Sequence, residues 1–89
     1  MYCVYIIYSI VYDRFYIGQT DNIEGRLNRH NSGYEKATGP YKPWILILKI
    51  SKPTRGEAML LEKKLKNLNR ERLKAFIEKY STDVGRDEA

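Results

Sequence analysis

The sequence predicts an α+β fold, a small three-stranded antiparallel sheet flanked by helices in the order β-β-α-β-α-α. Three observations carry this reading. Residues 2–8 (YCVYIIY) and 15–19 (FYIGQ) are rich in β-branched and aromatic residues, and the link between them is too short for a crossover, so they form an antiparallel hairpin. A third apolar run, residues 44–51 (WILILKIS), lies between helical patterns. Ala58, Leu61, Leu65 and Leu68 recur at helical spacing, as do Leu73, Phe76 and Ile77 further on.

Each element has local reasons. Asp13 is the turn residue of the 9–14 link. After Gly18, Thr20 or Asp21 is an expected N-cap, with Glu24 three residues beyond Asp21. That helix runs to about Asn31, Gly33 ends it, and Ile23 and Leu27 face the core. Residues 32–43 (SGYEKATGPYKP) read as loop. The 44–51 strand belongs in the middle of the sheet, or against helices on one side. Thr54 caps the next helix with Glu57 three residues on, and this helix reaches Asn67 or Leu68. The last helix covers residues 70–79, and residues 81–89 (STDVGRDEA) read as a frayed tail. Residues 1–80 therefore make one domain.

Composition narrows the function. With 89 residues, 43% hydrophobic and 30% charged, the chain is globular in character. No apolar run approaches a membrane span. The opening MYCVYIIYSIVY lacks a basic n-region and a small-residue cleavage site, so it reads as a buried strand and the expected address is the cytoplasm. The single cysteine, Cys3, permits neither an internal disulfide nor a zinc cluster. The net charge is +5. From Arg55 to Lys79 eight Lys or Arg face four Glu, so most of the excess lies on the C-terminal helices, as a solvated or a phosphate-binding face.

Several side chains could do chemistry. With the hairpin turn centred between Ile10 and Val11, Tyr5 and Tyr16 become cross-strand neighbours about 5 Å apart, as an aromatic core pair or a pair of phenols in a site. Arg26 and His30, four apart, share a helix face at the edge of the Ile23–Leu27 stripe. They could be a surface charge and a solvated helix end, or lean together over the sheet. Glu62 beside Leu61 could be an i,i+4 partner of Lys66 or a lone metal carboxylate among lysines.

The combination Tyr5, Tyr16-Ile17-Gly18, Arg26, His30 and Glu62, in that order and on those elements, resembles the GIY-YIG nuclease superfamily. The resemblance extends over about residues 2–68 and is greatest to small stand-alone bacterial domains related to the excision-repair nuclease subunit. Cys3-Val4-Tyr5 stands where the family name has Gly-Ile-Tyr. Gln19 and Lys74 stand where some relatives carry lysine and asparagine. The resemblance implies a metal-dependent endonuclease hydrolysing DNA phosphodiesters, structure-selective or weakly sequence-selective, with RNA as another substrate class. It implies Tyr5, Tyr16, Arg26, His30 and Glu62 in the site and one Mg2+ or Mn2+ on Glu62, weakly held without substrate. Lys36, Lys42, Lys63, Lys64 and Lys66 would hold the nucleic-acid backbone, and a protein partner could supply targeting. The rival expectation is a nucleic-acid-binding module that keeps the fold without cleavage. A small interaction protein whose tyrosines are only core is a third.

Overall fold

The computed structural model describes the backbone of residues 1–88 and the side chains of residues 1–81. Its centre is a hairpin of β1 (Tyr2–Ser9) and β2 (Arg14–Thr20). There follow α1 (Ile23–Asn31), β3 (Ile45–Lys52), α2 (Arg55–Lys66) and α3 (Arg70–Glu88), with one 3-10 turn at Gly39–Tyr41 inside the long loop. The sheet order is β2-β1-β3 with both pairings antiparallel, so the architecture is the α+β arrangement expected from the sequence.

β1 is the central strand and is buried on both faces. Val4 and Ile6 point to one side, where they meet Ile17, Leu48 and Ile50 and are covered by Ala58 and Leu65 of α2 and Leu73 of α3. Tyr5 and Ile7 point to the other, where they meet Trp44, Tyr16 and Tyr41 under Ile23 and Leu27 of α1. β3 occupies an edge rather than the middle of the sheet. Its apolar residues serve the second expectation, since Leu48 and Ile50 are buried beneath helices while the alternating Lys49 and Ser51 are exposed.

The hairpin register differs from the expected one. Tyr5 pairs with Gly18, and Ile7 pairs with Tyr16. The turn is centred one residue later than expected because Asp13 takes a left-handed conformation, φ 54°. It is held there by the Tyr8 hydroxyl, which donates to Asp13 Oδ1 at 2.6 Å, and by Arg70. The register slips by two, so parity is kept and both tyrosines remain on the α1 face. Gly18 is required where it stands: a Cβ there would sit 2.6 Å from Tyr5 Cζ, so the phenol lies across the bare backbone of β2.

Helix starts are set by side-chain oxygens. Asn22, not Thr20 or Asp21, caps α1, its Oδ1 accepting from the Gly25 N–H at 3.1 Å. Thr20 instead accepts from the Asn22 N–H at 3.0 Å. Thr54 caps α2 as expected, accepting from the Glu57 N–H at 3.2 Å. The backbone of α3 continues beyond Lys79, where the sequence pattern ends. The frayed tail expected over 81–89 falls almost entirely outside the residues whose side chains are described. Among the described residues no helix is long and apolar enough to cross a membrane.

Candidate active site

The β2 edge of the sheet places α1 above it and α2 below, and the polar residues gather around that edge. On the α1 side Tyr5 is 1% exposed and His30 is 2% exposed. The Tyr5 hydroxyl lies 2.8 Å from His30 Nε2, and His30 Nδ1 lies 2.6 Å from Thr38 Oγ1. Tyr16 completes a cluster, its ring 5.1 Å from that of His30 and 6.5 Å from that of Tyr5. Tyr16 is only partly buried.

His30 is therefore not a solvated helix end. It projects into the core because the loop after α1 folds back over it. That fold is fixed by Asn31, whose side chain accepts from the Trp44 N–H at 2.5 Å and donates to the Trp44 carbonyl at 3.0 Å. The Trp44 indole N–H in turn donates to the Thr38 carbonyl at 2.8 Å. Thr38 is thereby delivered to the second nitrogen of the imidazole, and no described buried side-chain polar atom lacks a hydrogen-bond partner.

Electrostatics separates the groups. Burial, reinforced by the neighbouring Tyr16, pushes the Tyr5 phenol up to about 12, and the opposing Arg26 charge does not offset it. Arg26 favours the Tyr5 phenolate by its charge, but desolvation outweighs it. Burial first, and the Arg26 charge second, hold His30 below its ordinary value of 6.5, so its imidazole is neutral at pH 7.

On the α2 side Glu62 Oε1 accepts from Gln19 Nε2 at 3.1 Å, and Oε2 pairs with Lys66 Nζ at 2.9 Å. The i,i+4 ion pair read from the sequence is therefore present. Gln19 also lines a cleft of about 390 Å³ with Tyr2, Thr20, Asp21, Arg26 and Arg55. Arg26 and Gln19 thus meet at one opening, and Gln19 links that opening to Glu62. Lys63 and Lys66 flank Glu62 along a second cavity of about 650 Å³ on α2, which Met59 and Leu60 also line. Lys64, Lys36 and Lys42 are exposed but line neither cavity.

A divalent cation, as the resemblance implies, would find one carboxylate. Among the described residues no group of three or more His, Cys, Asp or Glu side chains could hold a metal. A carboxylate offers about four lone-pair positions, and Gln19 and Lys66 take one on each oxygen. The remaining positions fit a hard cation completed by water and substrate oxygens, as Mg2+ tolerates.

Three residues here were not singled out as site residues from the sequence. Thr38 lies in a loop where no periodicity reports direction. Gln19 follows Gly18 in β2, so strand alternation turns it to the α2 face, a clue available once Glu62 is considered. Arg55 opens α2 immediately after its cap and reaches the cleft only through the packing of that helix.

Comparison with known proteins adds to this geometry. The family model described as the GIY-YIG catalytic domain matches residues 1–80. The solution NMR structure of a UPF0213 protein from Bacillus halodurans is similar at 29% identity, with 88% of this chain and 84% of that one covered and a TM-score of 0.58. No curated protein matches the chain.

Proposed function

The chain belongs to the GIY-YIG catalytic domain family, a nuclease-type family, and on that premise we propose that it is a divalent-metal-dependent endonuclease hydrolysing phosphodiester bonds in DNA. The observation that carries the proposal is the joining of two phenols to a buried, neutral histidine on one side of the β2 edge, with Arg26 lining the adjoining cleft and Glu62 bonded to Gln19 of the same cleft. Hydrolysis of a phosphodiester needs an activated water, neutralised phosphate charge and a stabilised leaving oxygen.

Arg26 supplies a guanidinium whose planar fork matches two phosphate oxygens. Arg55, in the same cleft, supports the adjoining backbone. Tyr16, only partly buried, is the phenol that water reaches. Tyr5 behind it keeps its proton: with a pKa of about 12, roughly one molecule in 10⁵ carries its phenolate at pH 7. Tyr5 is therefore no preformed base. In the tautomer with the proton on Nδ1, its hydroxyl donates to Nε2 of the neutral His30 and Nδ1–H donates to Thr38. Negative charge developing on one phenol disfavours it on the other, so at most one of the two carries charge at a time. His30 can accept the Tyr5 proton as the phenol oxygen takes one from the water, so the phenol stays neutral and the imidazole ends protonated. A divalent ion on Glu62 would supply charge neutralisation at the phosphate and at the leaving oxygen.

Nothing among the described residues marks a base-reading helix, which supports cleavage that is structure-selective or weakly sequence-selective, or directed by a protein partner. Lys63, Lys64 and Lys66, with Lys36 and Lys42, hold backbone phosphates. The test is nicking of supercoiled plasmid and branched DNA with Mg2+ or Mn2+, comparing wild type with Glu62→Ala. Cleavage that vanishes in the variant while folding and binding persist supports the proposal. Equal cleavage by both overturns the assignment of Glu62. The second reading is a binding module without cleavage. It is favoured by Gln19 and Lys66, which already engage both carboxylate oxygens. It predicts binding with no metal-dependent product.

A further inference from the structure

We infer that Tyr34 forms a stacking subsite for an unpaired nucleobase, built on the loop that follows α1 and separate from the reacting residues. The inference rests on the nucleic-acid reading above for its ligand class. Tyr34 is the most exposed aromatic side chain among the described residues, at 77%. An aromatic ring left in water ordinarily gains by turning inward, and this one is held outward by its surroundings. Its backbone N–H donates to Ser32 Oγ at 3.2 Å, and that hydroxyl donates to the Arg29 carbonyl at 2.8 Å. Gly33, between them, takes φ +81°, a conformation that turns the chain sharply at the end of α1.

The surroundings of the ring suit a base better than a phosphate. The Arg29 guanidinium lies 5.3 Å from the ring centroid, a cation–π contact that leaves most of the ring open. Arg29 is also paired with Glu35 at 2.8 Å, so its charge is already answered locally. A site meant only for a phosphate would not spend its arginine on a carboxylate. Tyr34, Arg29, Asn28 and Ser32 enclose a surface cavity of about 440 Å³. The Asn28 side-chain amide is exposed and makes no hydrogen bond among the described residues, so it offers both donor and acceptor to the edge of a stacked base. Ring face, stacked guanidinium and free amide are the parts by which single strands are held without strong sequence readout. A base in a continuous duplex cannot reach such a platform, so the subsite discriminates for flaps, gaps or bulges. Its Asn28 and Arg29 lie on the same helix as Arg26 and His30, with Arg29 one turn from Arg26.

The test is fluorescence anisotropy of the full chain with labelled oligothymidylate and with a blunt duplex, without divalent metal so that no cleavage intervenes. Base–aromatic stacking is worth about 5- to 150-fold in affinity per base. Tyr34→Ala should therefore weaken oligothymidylate binding by at least about 5-fold while duplex affinity moves by less than about twofold. Tyr34→Trp should restore single-strand binding, which a lost structural hydroxyl would not allow. The slope of log affinity against log salt should stay the same, because no phosphate contact is removed. Equal loss on both ligands, no loss on the single strand, or no binding of oligothymidylate by wild type would each overturn the inference. Because binding is read rather than cleavage, a preserved Tyr34 effect beside an absent nuclease activity would sink the catalytic reading and leave this one standing.

Discussion

Replacing Thr38 by valine removes one hydroxyl from a place where it can be missed in only one way. Thr38 Oγ1 is 2.6 Å from His30 Nδ1, and both residues are buried. Valine preserves the shape of the side chain, and the Thr38 carbonyl still accepts from the Trp44 indole. What changes is that Nδ1 becomes a buried polar atom without a partner, away from water. Leaving such a group unsatisfied costs about 1–3 kcal/mol, a sizeable share of the ~4–13 kcal/mol expected for a domain of this length. With a urea slope of about 1.5 kcal/mol per molar, the unfolding midpoint should fall by roughly 0.7–2 M at unchanged slope. Thr38→Ser keeps the hydroxyl and should recover most of the loss. A Thr38→Val midpoint within about 0.3 M of wild type would refute the reasoning, as would a serine variant no better than the valine one.

Other outcomes follow from the same geometry. His30 has a folded pKa below its ordinary 6.5, so as pH falls through 6.5 the unfolded chain takes up a proton before the folded one. Stability should then decline from about pH 6.5 downwards; a urea midpoint that stays flat from pH 7.5 to pH 5 would contradict it. Gly18→Ala forces a Cβ to within 2.6 Å of the Tyr5 ring, an overpacking that costs about 1–3 kcal/mol. Calorimetry should show a Tm lower by at least about 4 °C, and an unchanged Tm would mean that Tyr5 does not lie across β2. Lys66→Gln frees one oxygen of Glu62. Because partly exposed ion pairs are worth up to about 1 kcal/mol, Mn2+ affinity measured by electron spin resonance without nucleic acid should rise about two- to fivefold. A weaker affinity would place the cation elsewhere.

The elements were legible because each obeys one period over most of its length. Ala58, Leu61, Leu65 and Leu68 all pack where their spacing puts them. The hairpin register was not, since it depends on Asp13 entering a left-handed conformation stabilised by Tyr8 and by Arg70, 57 residues away. The slip left Tyr5 and Tyr16 on one face because only parity, not the exact partner, decides that. Strand order was open for a similar reason: β1 and β3 are both apolar, and the sequence does not say that β1 alone is covered on both faces. Local caps compete within three residues, and Asn22 prevailed over Asp21 because its side chain reaches the Gly25 N–H once Thr20 has anchored the turn.

Within the candidate site, spacing left Arg26, His30 and Glu62 open and the resemblance singled them out, but neither revealed their environments. The burial of His30 follows from the Asn31–Trp44 clasp that folds the loop over it, a long-range consequence of one amide. Burial also sets the Tyr5 phenol, because desolvation outweighs the single neighbouring charge of Arg26.

The central claim is that the phenols of this cluster act on the attacking water. Single-turnover cleavage of a labelled branched DNA with Mn2+ by Tyr16→Phe tests it most directly, since the change removes one oxygen from a partly buried ring and leaves its packing with Trp44 and His30 in place. A group transferring a proton in the transition state contributes about 10²–10⁴-fold. The account predicts a rate at least ~100-fold lower with DNA affinity within about twofold. A Tyr16→Phe variant that cuts at the wild-type rate would contradict it.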